Sequence, residues 1–178
     1  MDVLIVVDMQ KDFVSGALGT REAVEIVPYV VGRVVDGVNR GETILFTRDT
    51  HEVCYPETQE GRNLPVKHCV KGSHGWQIYG QTAAALEEVE AKAIDKLVFG
   101  MDVTDPAIAA VLPEQAGEIE LVGLVSNICV VSNACVLQSR YPEATIQVDA
   151  ACTDSFDKAL HEKVLDVLEG LQVRVINR

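Results

Sequence analysis

The chain alternates short apolar runs with segments whose apolar residues recur at helical spacing. Short continuous apolar runs are typical of strands that are covered on both faces of a sheet. The predicted strands are residues 3–7, 43–47, 93–99, 118–125, 145–148 and 173–176. The predicted helices are residues 24–39, 82–92, 106–112, 129–140 and 157–168. Proline has no backbone N–H to donate, so Pro28 is expected in the first turn of its helix.

This alternation predicts the class of fold. A strand, a helix and the next strand form a crossover unit, so the series predicts a parallel sheet with helices on both faces. We expect an α/β protein of three layers, α/β/α, with a mainly parallel sheet of about six strands. No linker, repeat or low-complexity segment interrupts the 178 residues, so residues 1–178 are expected to form a single domain.

Charge and cysteine usage narrow the range of partners. The 15 basic residues are outnumbered by 27 acidic ones, and the formal net charge of −12 argues against nucleic acid as a partner. No apolar run is long enough to span a membrane, and acids at positions 2 and 8 do not fit a signal peptide. The five cysteines are irregularly spaced without a CxxC pair, which favours a reducing, cytoplasmic setting.

Residues 118–135 join the longest predicted strand to a turn and a helix. Ser126 and Asn127 are residue types that end strands and cap helices, so Cys129 would lie in the first helical turn. Unpaired N–H groups and the helix dipole there favour the thiolate, so we expect Cys129 to attack a carbonyl carbon. The alternative is a packing role, because free cysteine is often buried. Cys135, beyond this turn, is expected to be a core residue.

An acid and a lysine are expected beside this thiol. Asp8 follows the first strand and would point toward the same sheet edge, where it could accept the thiol proton; the alternative is a cap or a loop-ordering acid. A nearby cation would stabilise both negative charges. Lys96 belongs to a predicted strand, whereas Lys67 and Lys71 belong to a solvated loop, so Lys96 is preferred.

The long segment 48–80 has little periodicity and carries three of the four histidines. Loops of this length inside a compact domain are usually functional. Its candidate metal ligands suit Zn²⁺, with Fe²⁺ or Mn²⁺ as alternatives, and they are Asp49, His51, His68 and Glu60. Solvated loop histidines are the common alternative, and the spacing alone does not decide between them.

Five stretches taken together carry a family resemblance. They read VVDMQKDFVSGALGT, FTRDTH, ETQEGRNLPVKHCVKGSHGW, IDKLVFG and GLVSNICVVSNA, and they follow one another between residues 3 and 134. The chain resembles the isochorismatase-like cysteine hydrolases, and among them the nicotinamidase-related amidases. The resemblance implies a Rossmann-like three-layer fold and a catalytic set that maps to Asp8, Lys96 and Cys129.

The resemblance also implies how the site is completed. A cis peptide at Leu124–Val125 would place the N–H groups of Val125 and Cys129 as an oxyanion hole. The four metal-ligand candidates would bind a divalent metal, expected to be zinc, which contacts the ring of a nicotinamide-like substrate. Phe13 and Phe99 would stack on that ring.

The implied activity is hydrolysis of a small-molecule amide through a thioester, with nicotinamide as the leading substrate. Leu64 and Pro65 stand where such amidases tend to carry an aromatic residue, so the reaction class is better supported than the substrate. A carbamoyl amide, isochorismate, a catalytically silent scaffold and a peroxide-sensing thiol are the alternatives. Relatives of this kind suggest a homo-oligomer.

Overall fold

The computed structural model describes all residues from 1 to 178. It contains one sheet of six parallel strands, which are β1 (Asp2–Val7), β2 (Thr43–Asp49), β3 (Lys92–Lys96), β4 (Glu118–Leu124), β5 (Thr145–Asp154) and β6 (Arg174–Ile176). Their order across the sheet is β3-β2-β1-β4-β5-β6. The chain therefore changes direction across the sheet between β1 and β4, and open α/β folds bind their ligands at such a switch point.

Seven α-helices connect these strands: α1 (Lys11–Val14), α2 (Arg21–Asn39), α3 (Gln59–Asn63), α4 (Gly80–Glu88), α5 (Pro106–Ala109), α6 (Val131–Arg140) and α7 (Lys158–Gly170). A 3₁₀ turn spans Tyr55–Glu57, and a π-helical turn spans Ser126–Val130. None of the helices combines the length and the apolar character needed to cross a bilayer.

The predicted three-layer α/β fold with six strands is confirmed, and the errors lie at element boundaries. The strand predicted at 93–99 ends at Lys96, so Phe99 lies in the following loop. The helix predicted at 82–92 begins and ends earlier, as α4. The positive φ of Glu90, +52°, ends the helical path there.

The expectation for Pro28 was wrong. Helix α2 begins at Arg21, three residues before the predicted start, so Pro28 lies in the helix interior. The helix begins earlier because Thr20 caps it: the Thr20 hydroxyl accepts a hydrogen bond from the backbone N–H of Ala23 at 3.1 Å. Pro28 and Val24, the residue four positions earlier, are both exposed, so water reaches this part of the helix.

The two faces of the sheet bury separate apolar layers. Alternate residues of β1 point to opposite faces, as the period of a strand requires. Val3, Ile5 and Val7 pack with residues of α6 and α7, whereas Leu4 and Val6 pack with residues of α2 and α4. Central strands that are buried on both faces hold their carboxyl ends at one rigid edge.

Gly123 permits the close approach of β1 and β4 at this edge. Its φ is +106°, and a Cβ atom there would lie 2.2 Å from the carbonyl oxygen of Val7. Only glycine combines this backbone conformation with this contact. The residue after Val7 is Asp8, so the contact lies next to a candidate functional side chain.

Replacing Gly123 by alanine should lower the free energy of unfolding by about 3 kcal/mol or more, because strain and overlap with backbone add. Chemical denaturation measures this loss. Gly170→Ala is the matched control, since a Cβ at Gly170 would meet no atom within 4 Å. Equal stability of the two variants would contradict the contact.

Candidate active site

The carboxyl edge of β1, β2 and β3 brings three predicted side chains to one buried point. Asp8 follows β1, Asp49 ends β2 and Lys96 ends β3. Cys129 reaches the same point from the π-helical turn after β4. All four residues are buried, with Lys96 only 1% exposed. Charged side chains are rarely buried unless they are paired, so their contacts define the site.

Lys96 is the centre of this cluster. Its Nζ lies 2.8 Å from Asp8 Oδ2, 3.3 Å from Asp49 Oδ1 and 3.5 Å from Cys129 Sγ. Burial alone would lower the pKa of this amine, but its interactions with Asp8, Cys129 and Asp49 outweigh burial and raise the pKa. Lys96 is therefore a fixed positive charge. Lys67 and Lys71 are exposed, as expected for the loop.

Asp8 is oriented by Thr47, a residue that the sequence analysis did not identify. The Thr47 hydroxyl donates to Asp8 Oδ1 at 2.6 Å and accepts from the Asp8 backbone N–H at 3.1 Å. Asp8 has a φ of +47°, in the left-handed region that non-glycine residues seldom adopt. Burial raises the pKa of the Asp8 carboxyl, and Lys96 offsets part of this rise. Asp8 therefore has a fixed orientation and a raised pKa, and both properties suit a group that exchanges a proton.

The surroundings of Cys129 oppose the thiolate that the helix N-terminus was expected to favour. Burial raises the pKa of the Cys129 thiol well above its usual value, and the carboxylates of Asp8 and Asp49 raise it further. Lys96 lowers it, but one positive charge already faces two carboxylates. Cys129 also lies in the π-helical turn that precedes α6, not in the first α-helical turn. Burial and the two carboxylates therefore favour the thiol over the thiolate.

Asn133 ties this turn to the loop after β3. Its side-chain amide donates to the carbonyl of Cys129 at 2.8 Å and to that of Phe99 at 3.2 Å. Its side-chain oxygen accepts from the Met101 N–H at 2.9 Å. Nothing in the local sequence pattern distinguishes this asparagine from a solvated helix residue.

A second contact fixes the start of the same turn. His161 Nδ1 of α7 lies 3.0 Å from the buried hydroxyl of Ser126. Burial lowers the pKa of His161, which favours the neutral ring in this hydrogen bond to a hydroxyl. Cys135 is exposed, which contradicts the prediction of a core residue, because the helix places it on the solvent side of α6.

The Leu124–Val125 peptide is cis in the structure, at the position that the family resemblance implied. It joins the end of β4 to the turn that carries Cys129. The role of the Val125 and Cys129 N–H groups as an oxyanion hole stays a prediction.

The four metal-ligand candidates also meet. One donor atom from each of Asp49, His51, Glu60 and His68 lies within 4.8 Å of the others. His51 Nε2 is 2.9 Å from Asp49 Oδ2 and 3.6 Å from Glu60 Oε1, and His68 Nε2 is 3.5 Å from Asp49 Oδ2. His74, the third loop histidine, lies elsewhere, with its Nε2 3.2 Å from Lys11 Nζ.

This donor set fits a divalent metal. Two imidazoles and two carboxylates are ligands that suit Zn²⁺, Fe²⁺ and Mn²⁺. The other ring nitrogen of His68 lies 2.8 Å from the Val66 carbonyl, and a donor bond there leaves Nε2 free to bind metal. The Gln10 side chain accepts a hydrogen bond from the backbone N–H of Asp49 at 2.7 Å and donates one to its carbonyl at 2.9 Å. These two bonds hold Asp49 in place.

Asp49 connects the two clusters. Its Oδ1 faces Lys96 and its Oδ2 faces the imidazoles of His51 and His68. Burial would raise the pKa of this carboxyl, but the two imidazoles and Lys96 outweigh burial and hold the pKa well below its usual range. Asp49 is therefore a permanent anion between the thiol cluster and the metal-ligand candidates.

A cavity of about 280 Å³ opens onto both clusters. Cys129, Asp49, Glu60 and His68 contribute its polar groups, and its other walls are apolar. The apolar residues are Phe13, Leu18, Leu64, Phe99, Val125, Ile128 and Phe156. Phe13 and Phe99 line the cavity, and their role in stacking on a substrate ring stays a prediction. Leu18 and Phe156 were missed because both lie in segments without periodicity.

The family model described as the Isochorismatase domain matches residues 2–178. No curated protein matches the chain by sequence. The Bacillus subtilis nicotinamidase/pyrazinamidase is similar in structure, with a TM-score of 0.86, 21% identity and 98% of each chain covered.

Two further solved structures share the fold. The Pyrococcus horikoshii pyrazinamidase in complex with zinc has a TM-score of 0.83, 20% identity and 99% of each chain covered. The N-carbamoylsarcosine amidase of Thermoplasma acidophilum has a TM-score of 0.74 and 22% identity, over 98% of this chain and 94% of that chain. A family match over nearly the whole length and a shared fold lead to one conclusion: the chain belongs to the isochorismatase family.

Proposed function

We propose that this chain is a cysteine amidase that hydrolyses a small planar carboxamide through a thioester, with nicotinamide as the leading substrate. The observation that carries the proposal is the contact of Lys96 with both Asp8 and Cys129, at 2.8 and 3.5 Å, at the base of an apolar cavity. An acid, a cation and a thiol in contact supply proton transfer, charge stabilisation and a nucleophile.

The first step forms the thioester. The proton of the Cys129 thiol passes to the Asp8 carboxylate as sulfur bonds to the amide carbon. The Val125 and Cys129 N–H groups are proposed to stabilise the resulting oxyanion. The C–N bond then breaks, and Asp8 returns the proton to the departing ammonia. Lys96 stays charged throughout and stabilises whichever neighbour is negative.

The second step releases the acid. Water attacks the thioester carbon and Asp8 takes one of its protons. The C–S bond breaks, the carboxylic acid leaves, and the Cys129 thiol is restored by that proton. No electron is gained or lost, and the net reaction is amide plus water to acid plus ammonia.

Substrate recognition is assigned to the apolar walls and the metal-ligand candidates. Phe13 and Phe99 offer faces for stacking on a flat ring. A metal ion bound by Asp49, His51, Glu60 and His68, with zinc as the first choice, would supply a Lewis acid for a ring nitrogen. These ligand candidates open onto the same cavity as Cys129, so a ring held there presents its carboxamide toward the sulfur.

A carbamoyl amide is the second candidate substrate. The fold likeness to an N-carbamoylsarcosine amidase supports it, as does the aliphatic wall at Leu64. Isochorismate is less suitable, because cleavage of a vinyl ether needs no thiol nucleophile. A silent binding protein would keep the cavity and show no turnover.

The deciding experiment is ammonia release by the purified chain from nicotinamide, pyrazinamide, benzamide and N-carbamoylsarcosine. We expect turnover of nicotinamide above benzamide, which has the same size without the ring nitrogen. Turnover of N-carbamoylsarcosine alone would show that the substrate is a carbamoyl amide and not an aromatic carboxamide. The absence of ammonia from every amide would contradict the amidase proposal.

Zinc should stabilise the folded chain, because a ligand that binds only the native state raises the free energy of unfolding. Thermal unfolding with and without added zinc measures this, and His51→Ala should abolish the shift. His74→Ala is the matched control, since His74 lies outside the cluster. Chelation should raise KM for nicotinamide by about 10-fold or more. A zinc response that persists in His51→Ala would contradict the assignment.

A further inference from the structure

The turn that carries Cys129 is held by two side-chain contacts from the chain around the start of α7. His161 Nδ1 lies 3.0 Å from the Ser126 hydroxyl, and the Ser155 hydroxyl donates to the side-chain oxygen of Asn127 at 2.7 Å. Ser126 and His161 are buried, at 0% and 7% exposure. A buried polar group costs free energy when it has no partner, so breaking the Ser126–His161 contact is unfavourable.

His161 is itself well anchored. It lies in the first turn of α7, where the Asp157 side chain caps the helix by accepting from the backbone N–H of Ala159 at 2.8 Å. Further along the helix, Leu165 and Leu168 are fully buried in the core. Because α7 is fixed by its cap and by this packing, it can hold Ser126 in place.

The Ser126–His161 pair does not form a second nucleophilic site. Asp154 Oδ1 lies 3.8 Å from Nδ1 of His161, the same ring nitrogen that faces the Ser126 hydroxyl. A serine nucleophile needs the hydroxyl and the acid on opposite nitrogens of the ring. Ser126 is also absent from the walls of the cavity, so a substrate there does not reach its hydroxyl. The pair therefore acts through the position of the turn.

Ser126 directly follows Val125, whose backbone N–H is one of the two groups proposed to stabilise the oxyanion. This N–H donates to no other group of the chain, and Val125 lines the cavity beside Cys129. The Val125 carbonyl accepts from the N–H groups of Ile128 and Val130, at 3.2 and 3.1 Å. Val125 and Cys129 thus belong to one hydrogen-bonded turn, and a shift of Ser126 would move the Val125 donor.

We propose that His161 is a positioning residue for amide hydrolysis: by holding Ser126, it keeps the Val125 N–H where negative charge develops on the carbonyl oxygen. This role rests on the proposed function and adds to it a residue from outside the cavity. Donors that stabilise a transition state must be fixed in advance, and a displacement of about 1 Å can lower a rate by about 100-fold. The loss of His161 should therefore affect the chemical step more than substrate binding.

Two rates measured on the whole chain test this role. The first is turnover of nicotinamide, or of whichever amide in the panel above is hydrolysed fastest. The second is alkylation of Cys129 by iodoacetamide, followed on its peptide by mass spectrometry. In this alkylation, sulfur displaces iodide from a CH₂ carbon, so no oxyanion forms and the Val125 N–H is not needed. His161→Leu and Ser126→Ala should each lower kcat by at least about 10-fold, with KM little changed and alkylation at the wild-type rate.

Further variants separate positioning from a general loss of structure. His161→Asn should recover most of the lost turnover, because an amide side chain can donate to or accept from the Ser126 hydroxyl. The double variant should be no slower than the slower single variant, since both changes break one contact. Tyr141→Phe is the matched control, because it removes one hydrogen bond, to the Pro113 carbonyl at 2.6 Å, at the far end of α6. It should keep both wild-type rates.

Wild-type turnover in both His161→Leu and Ser126→Ala would overturn the positioning role. Alkylation that slows in proportion to turnover would overturn it too, because the whole turn would then be disturbed. If circular dichroism shows that His161→Leu does not fold, Ser126→Ala decides alone, since it removes only one oxygen atom. A wild-type chain that hydrolyses no amide contradicts the proposed function itself, and the role of His161 is then rejected with it.

Discussion

Replacing Cys129 by alanine is expected to lower the rate of amide hydrolysis by at least about 10⁴-fold, because no other group can form the thioester. The fold should persist, since the change removes one sulfur atom from a buried turn. Acid quenching of the wild type during turnover should trap the acyl group on the peptide that contains Cys129. Mass spectrometry detects the adduct as a mass increase equal to that of the acyl group.

Cys135→Ala is the matched control for this prediction. Cys135 lies six residues further along the chain, on the exposed side of α6, and should not affect the rate. Loss of activity in Cys135→Ala, or retention in Cys129→Ala, would assign the nucleophile elsewhere. An acyl adduct on any other cysteine would lead to the same conclusion.

Replacing Lys96 by methionine should affect activity and stability together. Methionine keeps most of the side-chain volume but leaves Asp8 and Asp49 as neighbouring buried carboxylates without a cation. Removing one partner of a buried ion pair costs about 3–5 kcal/mol of unfolding free energy. The chemical step should lose more than about 2 kcal/mol, because the oxyanion and thiolate character of the transition state lose their nearest positive charge.

The sign of the pH dependence follows from the same charges. Without Lys96 the folded-state pKa of Asp8 rises further above its unfolded value, because burial already raises it and Lys96 was offsetting that rise. A carboxyl with a raised pKa binds its proton more tightly in the folded state. The variant should therefore be more stable at low pH and lose stability as the pH rises through this pKa. Urea denaturation at several pH values measures the trend.

Two further variants separate these effects from a general loss of folding. Asp8→Asn in the Lys96→Met background should recover part of the stability without recovering activity, because it removes the unpaired carboxylate and the proton acceptor together. Lys92→Met, at the exposed start of the same strand, should match the wild type. Unchanged activity in Lys96→Met would move the stabilising role to another group.

The local sequence pattern correctly predicted which polar residues lie at the carboxyl edge of the sheet. Continuous apolar runs predicted the parallel strands, and polar residues directly after them, such as Asp8 and Asp49, were expected at one edge because parallel strands end together. The place of Lys96 in a predicted strand favoured it over Lys67 and Lys71, and the family resemblance implied the same lysine. The structure places Lys96 in contact with Asp8 and Cys129, and its role as a catalytic residue remains to be tested by the variants above.

Other features depend on contacts between distant segments. Thr47 and Asn133 look like ordinary strand and helix residues in the sequence, and only the packing of β2 on β1, and of α6 on the loop after β3, gives them partners. The pKa of Cys129 also depends on contacts between distant segments. A helix N-terminus favours a thiolate, but burial beside two carboxylates favours the thiol, and burial is not visible in a local pattern.

By itself, then, the sequence determined the order of elements, the parallel sheet and the chemical groups at its edge, because strand periodicity and chain connectivity are local properties. Only the tertiary structure decided which groups touch and which charge is compensated. Distances between segments far apart in the chain set electrostatic energies and solvent exposure, and these distances exist only after folding.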